Sequence, residues 1–164
     1  MNAKSLRSAL AAAFLLVTAA ALYAVRDNER TLADGRVVLV HLAPVDPRSL
    51  MQGDYMALRY AIDNEILRSD GEGRYAHLAV DAEGRASLVG LGDRLPDDPA
   101  LVAMKLRSRD GRETVGPNAF FFQEGRADDF SGAQWGEFRV DANGKALLTH
   151  LRGEDLVRLG ENRR

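Results

Sequence analysis

The sequence predicts a mainly β fold, a sandwich or partial barrel of short antiparallel strands and hairpins, carried behind one N-terminal transmembrane helix. Three observations predict it. Residues 9–25, ALAAAFLLVTAAALYAV, hold no charge. After them come short β-branched and alternating runs separated by Gly, Pro and Asp at close spacing, the pattern of small antiparallel sheets. Two of the breaks, VDAEG and VDANG, have hairpin turn chemistry, with Gly84 and Gly144 in the turns.

Taken in order, the chain starts with MNAKSLRS, short and basic through Lys4 and Arg7, and Arg26-Asp27 ends the apolar run. Seventeen residues lie at the lower limit for crossing a hydrocarbon core. A cleaved signal peptide is the competing reading, with Ala19 to Ala21 as the small-residue site. Its apolar centre would be about 7–15 residues long, whereas this one continues through Leu22, Tyr23 and Val25, with Tyr23 at an interfacial position. The expectation is an uncleaved signal-anchor over 1–26, a polar linker or helix extension over 27–35, and a β-rich soluble domain over 36–164. Lys4 and Arg7 precede the span and Arg26, Arg30 and Arg36 follow it, so the positive-inside balance is nearly even. The short basic start favours a single pass through the inner (cytoplasmic) membrane with the C-terminal domain in the periplasm. Residues 27–164 carry 19 Lys and Arg against 24 Asp and Glu.

In the soluble part, VVLVHL (37–42) reads as a strand. Pro44 and Pro47 exclude a central strand over 43–52. Residues 54–62 alternate, with Met56, Leu58, Tyr60 and Ile62 on one face, and read as a strand followed by one helical turn at 63–67; a helix with Tyr55, Leu58, Ile62 and Ile66 as its stripe is the alternative. YAHLAVD and RASLVGL form one hairpin, and GEFRVD and KALLTHL another. LVAMKLRS (101–108) is one strand closed by Asp110-Gly111, and AFFFQEG (119–125) is a short aromatic strand. The tail HLRGEDLVRL is expected to turn helical.

Composition removes several functions. The chain has no cysteine, hence no disulfide, thiolate metal site or cysteine nucleophile. A formal charge of −2 carries no basic stripe for nucleic acid. His41, His77 and His150 lack ligand spacing, so no metal and no cofactor is expected. Leu50-Met51-Gln52-Gly53-Asp54 is similar to part of a signal-peptidase motif, but the nucleophile position holds Val45, and covalent catalysis needs an activated oxygen. No catalytic residue is assigned. Trp135, in a Gly-flanked loop, is a partner anchor or a cover for a core edge.

Gly53-Asp54-Tyr55, then Leu58 and Tyr60, spell G-D-Y-x-x-L-x-Y. With the lead-in PVDPRSL and the later aromatic element closing in Glu124-Gly125, most of the chain after the anchor resembles the GDYXXLXY protein family. Gln123 stands where related sequences tend to carry proline. The resemblance implies a bacterial, membrane-anchored protein whose partner is a multi-spanning membrane protein. The interaction residues expected from the motif are Asp46, Arg48, Gly53, Asp54, Tyr55, Leu58, Tyr60 and Glu124. Among them Leu58 and Tyr60 read as core, Tyr55 as the exposed contact, and Arg48 as the partner of Asp54 or Asp46. The alternative is a cell-envelope hydrolase using Asp46, Asp54 and Glu124 as a carboxylate cluster.

Overall fold

The computed structural model describes residues 3–43, 51–52, 55–69, 71–109 and 111–160. Its first element is α1 (Ala3–Asp34). Among the described residues eleven short strands follow: β1 (Arg36–His41), β2 (Met51–Gln52), β3 (Tyr55–Ala57), β4 (Tyr75–Val80), β5 (Ala86–Gly92), β6 (Val102–Lys105), β7 (Arg107–Arg109), β8 (Arg112–Thr114), β9 (Ala119–Phe121), β10 (Trp135–Val140) and β11 (Ala146–Arg152). A second helix, α2 (Ala61–Arg68), lies between β3 and β4, and a single 3-10 turn (Ala127–Phe130) precedes β10.

Residues 10–34 of α1 are long and apolar enough to cross a membrane, and no part of their most apolar 18-residue stretch is buried against the described residues. Phe14, Leu16 and Tyr23 are each more than 70% exposed. A core helix would bury such side chains at about 1.5–3 kcal/mol each.

The far end of α1 behaves differently. Thr31 is buried, and its hydroxyl donates to the Asp27 carbonyl (3.1 Å) and the Asp141 carboxylate (3.3 Å). The Lys145 ammonium pairs with Asp27. The Gly35 N–H donates to the Thr31 carbonyl at 3.0 Å, and Arg139 Nη1 donates to the Gly35 carbonyl at 3.0 Å. A Cβ at Gly35 would strike the Thr31 carbonyl and come 3.1 Å from the Val140 nitrogen. The helix therefore passes straight into β1 while packed on the sheet; of the two expectations for 27–35, helix extension is what forms.

The strands make small antiparallel sheets in the orders β1-β10-β11, β2-β3-β9, β5-β4-β6 and β7-β8. The turn of each large hairpin is bonded to an edge strand of the other hairpin's sheet. The Leu39 N–H donates to the Gly84 carbonyl (2.7 Å), and the Lys105 N–H donates to the Gly144 carbonyl (2.8 Å). Both turns use one device. Asp81 Oδ1 accepts the N–H groups of Glu83 and Arg85, and Asp141 Oδ1 accepts those of Asn143 and Lys145. The glycines then close the turns at φ +89° and +80°, where glycine has no steric penalty. The core between the sheets holds Val38, Val40, Tyr60, Leu78, Met104, Phe138 and Leu151.

Three boundaries differ from the sequence reading. β3 stops at Ala57, and the chain stays extended to Tyr60, which bridges Leu42, before α2 begins. Ile62 consequently reaches the core from a helix, together with Ile66. The run 101–108 splits at Leu106, whose N–H turns to the Arg74 carbonyl, and β7 joins β8 instead. The tail is not helical. β11 continues to Arg152, and the chain folds back so that Arg158 bridges Arg152. The expected helix gives way to a hook in which Arg152 and Arg158 meet the buried Glu137 carboxylate.

Candidate functional site

The signature segment is divided by its strand geometry. Met56, Leu58 and Tyr60 are buried, because alternate residues of an extended chain share one face. Tyr60 is 1% exposed, its ring lies 5.6 Å from that of Phe138, and its hydroxyl donates to the Pro117 carbonyl at 2.8 Å. Burial, aided by the Asp63 charge and opposed by Arg107, pushes the hydroxyl far above its ordinary value. The neighbouring chain has no room to spare: a Cβ at Gly116 would come 2.7 Å from both the Tyr60 hydroxyl and the Phe138 ring. Tyr55 points the other way. It is half-buried and pairs across the β3–β9 ladder with Phe121, ring to ring at 5.7 Å, and Phe121 is 74% exposed.

Asp46, Arg48, Gly53 and Asp54 lie outside the described residues. Glu124 sits exposed in the turn that Gly125 closes at φ +80°. Of the expected site residues, the structure therefore brings Leu58 and Tyr60 together in the core, stands Tyr55 at the surface beside Phe121, and leaves Glu124 on an exposed turn.

A groove of about 320 Å³ runs beside this segment, floored by Leu42, Met56 and Leu58 and rimmed by His41, Arg59, Ser131 and Gln134. Its walls are tied by the Ala43 N–H to the Arg59 carbonyl and the Leu42 N–H to the Gln134 carbonyl, each at 2.8 Å. The Ser131 hydroxyl donates to the Asp128 carbonyl at 2.9 Å, so its proton is engaged with backbone and not with a base. The described lining holds no carboxylate. The groove has the makeup of a binding surface: an apolar floor with a few polar groups around it. Trp135 does not lie in a loop as expected. It opens β10, opposite His41, and the two rings meet edge to face at 4.7 Å.

On the same strand lies the most strongly built polar cluster among the described residues, which the sequence reading missed. Glu137 is fully buried. Its carboxylate accepts Arg152 Nε (2.7 Å), Arg158 Nε (2.9 Å) and Arg158 Nη2 (2.7 Å), and His150 Nδ1 stands 3.8 Å away. A bulge between Glu137 and Phe138 sets Glu137 opposite His150, and the Thr149 hydroxyl donates to the Glu137 carbonyl. Burial pushes the carboxyl up, but the guanidinium groups of Arg158 and Arg152 overcome it and hold the group down at about 2. Such a carboxylate has no proton to give at neutral pH, and its oxygens already accept three guanidinium hydrogen bonds. Its role is to clamp the 152–160 hook onto the sheet. Arg152 extends the clamp to the Leu156 carbonyl (2.7 Å), and Leu156 is the one described non-glycine residue with positive φ. The only signal in the sequence was an acid within a strand and two arginines six residues apart in the tail.

Asp63 makes a second clamp. Its carboxylate accepts the Thr114 hydroxyl (2.7 Å) and the Val115 N–H (3.1 Å), tying α2 to the end of β8. Burial nonetheless raises it above the ordinary carboxylate range. Among the described residues no group of three or more His, Asp or Glu side chains is placed to hold a metal.

A protein-family model described as GDYXXLXY protein matches residues 17–151, and so takes in the second half of α1 together with nearly all of the β domain. Comparisons with curated proteins and with solved structures found no match.

Proposed function

This chain belongs to the GDYXXLXY protein family, and from that premise we propose that it is a membrane-anchored interaction module. In this reading α1 crosses the inner membrane once, the β domain stands on the periplasmic side, and the partner is a multi-spanning membrane protein. The observation that carries it is the uncovered apolar length of α1 running without a break into a folded sheet. From Val25, the last apolar residue of the span, to the docked Thr31 is six residues, or about 9 Å of helix. The polar layer on each side of a bilayer is about 5–7 Å deep. The domain thus stands immediately outside the headgroups, at a fixed height, where a membrane partner reaches it. The short basic start supports the orientation, and the pair of half-buried Tyr55 and exposed Phe121 is the contact face, since aromatic side chains of this kind anchor interfaces.

The test uses the full chain in its native membrane. Since the chain has no cysteine, Glu124→Cys adds a single label site, and a membrane-impermeant maleimide added from the periplasmic side is expected to modify it in intact cells. A photoreactive residue at Tyr55 is expected to capture one multi-spanning membrane protein, and Phe121→Ser is expected to abolish capture while the protein stays folded. Labelling only after lysis would reverse the orientation. Capture that ignores Phe121→Ser would remove the contact face.

A further inference from the structure

Along the last two turns of α1 runs a second groove, of about 680 Å³, closed on the far side by the loop at 93–101 and floored by Val102, Ala103 and Val140. It lies where α1 would leave the bilayer. We propose that it holds the headgroup of a zwitterionic, amine-bearing phospholipid from the membrane that α1 crosses, with Arg30 on the phosphate and Asp34 on the ammonium. This rests on the anchoring reading above.

Four observations support it. The first is depth. Counting from Val25 at 1.5 Å per residue, Asp27 stands about 3 Å, Arg30 about 8 Å and Asp34 about 14 Å along the helix. Side chains on a helix lean toward its N terminus, which draws the Arg30 guanidinium back to the headgroup layer and leaves Asp34 just outside it, on the aqueous side.

The second is which charges are already engaged. Asp27 is held by Lys145, and Asp141 by Thr31 and its own turn. Arg36 donates to the Ala100 carbonyl and fastens the loop, while Asp98 accepts the Ala100 N–H. Arg30 and Asp34 line the groove with no ion pair or side-chain hydrogen bond to a described residue.

The third is order. In a phospholipid the phosphate lies nearer the acyl chains and the amine farther out. Arg30 then Asp34, read outward from the membrane, matches that order. A guanidinium fork suits phosphate oxygens.

The fourth is that Asp34 opposes its own helix. The last turn of α1 contains no basic residue, and a carboxylate at the negative end of a helix dipole is unfavourable. A bound ammonium beside Asp34 removes that conflict. Leu95, 41% exposed at the groove's edge, offers apolar surface to the glycerol end.

The experiment reconstitutes the full chain into bilayer discs of equal phosphatidylethanolamine and phosphatidylglycerol, and reads retained lipid by native mass spectrometry. Phosphatidylethanolamine should be retained in excess on the order of tenfold, the ratio one charge-assisted hydrogen bond supplies. Arg30→Ala with Asp34→Ala should erase the excess. So should the exchange Arg30→Asp with Asp34→Arg, which conserves composition and reverses only the order. Equal retention of the two lipids, no retained lipid, or an excess that survives the exchange overturns the proposal while leaving anchoring intact. A chain that stays outside the discs overturns the anchoring reading, and this proposal falls with it.

Discussion

Replacing Glu137 by alanine is expected to destabilise the protein by about 3 kcal/mol, the low end of what breaking a buried ion pair costs, because the two guanidinium groups left without their partner are only partly buried. Two guanidinium groups would then face an empty site in the sheet. Against a typical total of 5–15 kcal/mol, this is enough to bring partial unfolding into the range of ordinary temperatures. Denaturant titration of the full chain in detergent, followed by Trp135 fluorescence, measures it directly. The same residue sets an acid limit. Its carboxyl lies at about 2 in the folded protein against an ordinary 4.5. The folded state therefore holds the proton less readily than the unfolded state. The stabilisation is complete above about pH 4.5 and is lost as pH falls through about 2, a difference worth about 3 kcal/mol. Glu137→Gln should flatten the stability profile across that window. A variant that retained the wild-type acid slope would show that other carboxylates set it.

Tyr60→Ala is expected to cost about 3–5 kcal/mol, because a large buried ring is removed from between Phe138 and Gly116 and the surroundings collapse only in part. Tyr60→Phe keeps the ring and removes the bond to the Pro117 carbonyl, for a loss of about 1 kcal/mol. The contrast separates packing from hydrogen bonding. If the two variants were equally destabilised, the hydroxyl would be the essential part. If neither were destabilised, the last residue of the signature would have to serve contact and not the core. The pH dependence has a definite sign here too. Burial raises the folded hydroxyl, so the unfolded state gives up its proton first and stability falls as pH climbs past the ordinary 10.0.

The sequence made the hairpins legible because their information is local. An aspartate that accepts two amides and a glycine at positive φ sit within five residues of each other, and alternation on either side sets the register. The apolar run of α1 was legible for a similar reason, since length and absence of charge are properties of one segment. The opposite faces of Tyr55 and Tyr60 followed from a period of two.

What escaped the reading depends on partners far apart in the chain. Glu137 becomes a clamp only when Arg152 and Arg158 fold back onto it, across the bulge at Phe138. Read alone, HLRGEDLVRL has helical spacing, and the contact that overrides it is tertiary. Leu106 likewise breaks an alternating run because Arg74, thirty-two positions earlier, offers it a carbonyl. The groove beside α1 is of the same kind, since Arg30 and Asp34 acquire a wall only when the 93–101 loop packs opposite them.

The unbroken passage of α1 into β1 has a mechanical consequence. With Thr31 and Gly35 locked to the sheet, the helix works as a shaft and not as a tether. One residue inserted between Val25 and Thr31 turns the domain by about 100° about the helix axis and lifts it about 1.5 Å. Seven residues return it to within about 20° of its starting azimuth while raising it about 10 Å. Angle and height can thus be varied separately. A surface that must meet a neighbour in the membrane would lose it with each change of phase and recover it at each return, whereas a freely swivelling domain would register neither.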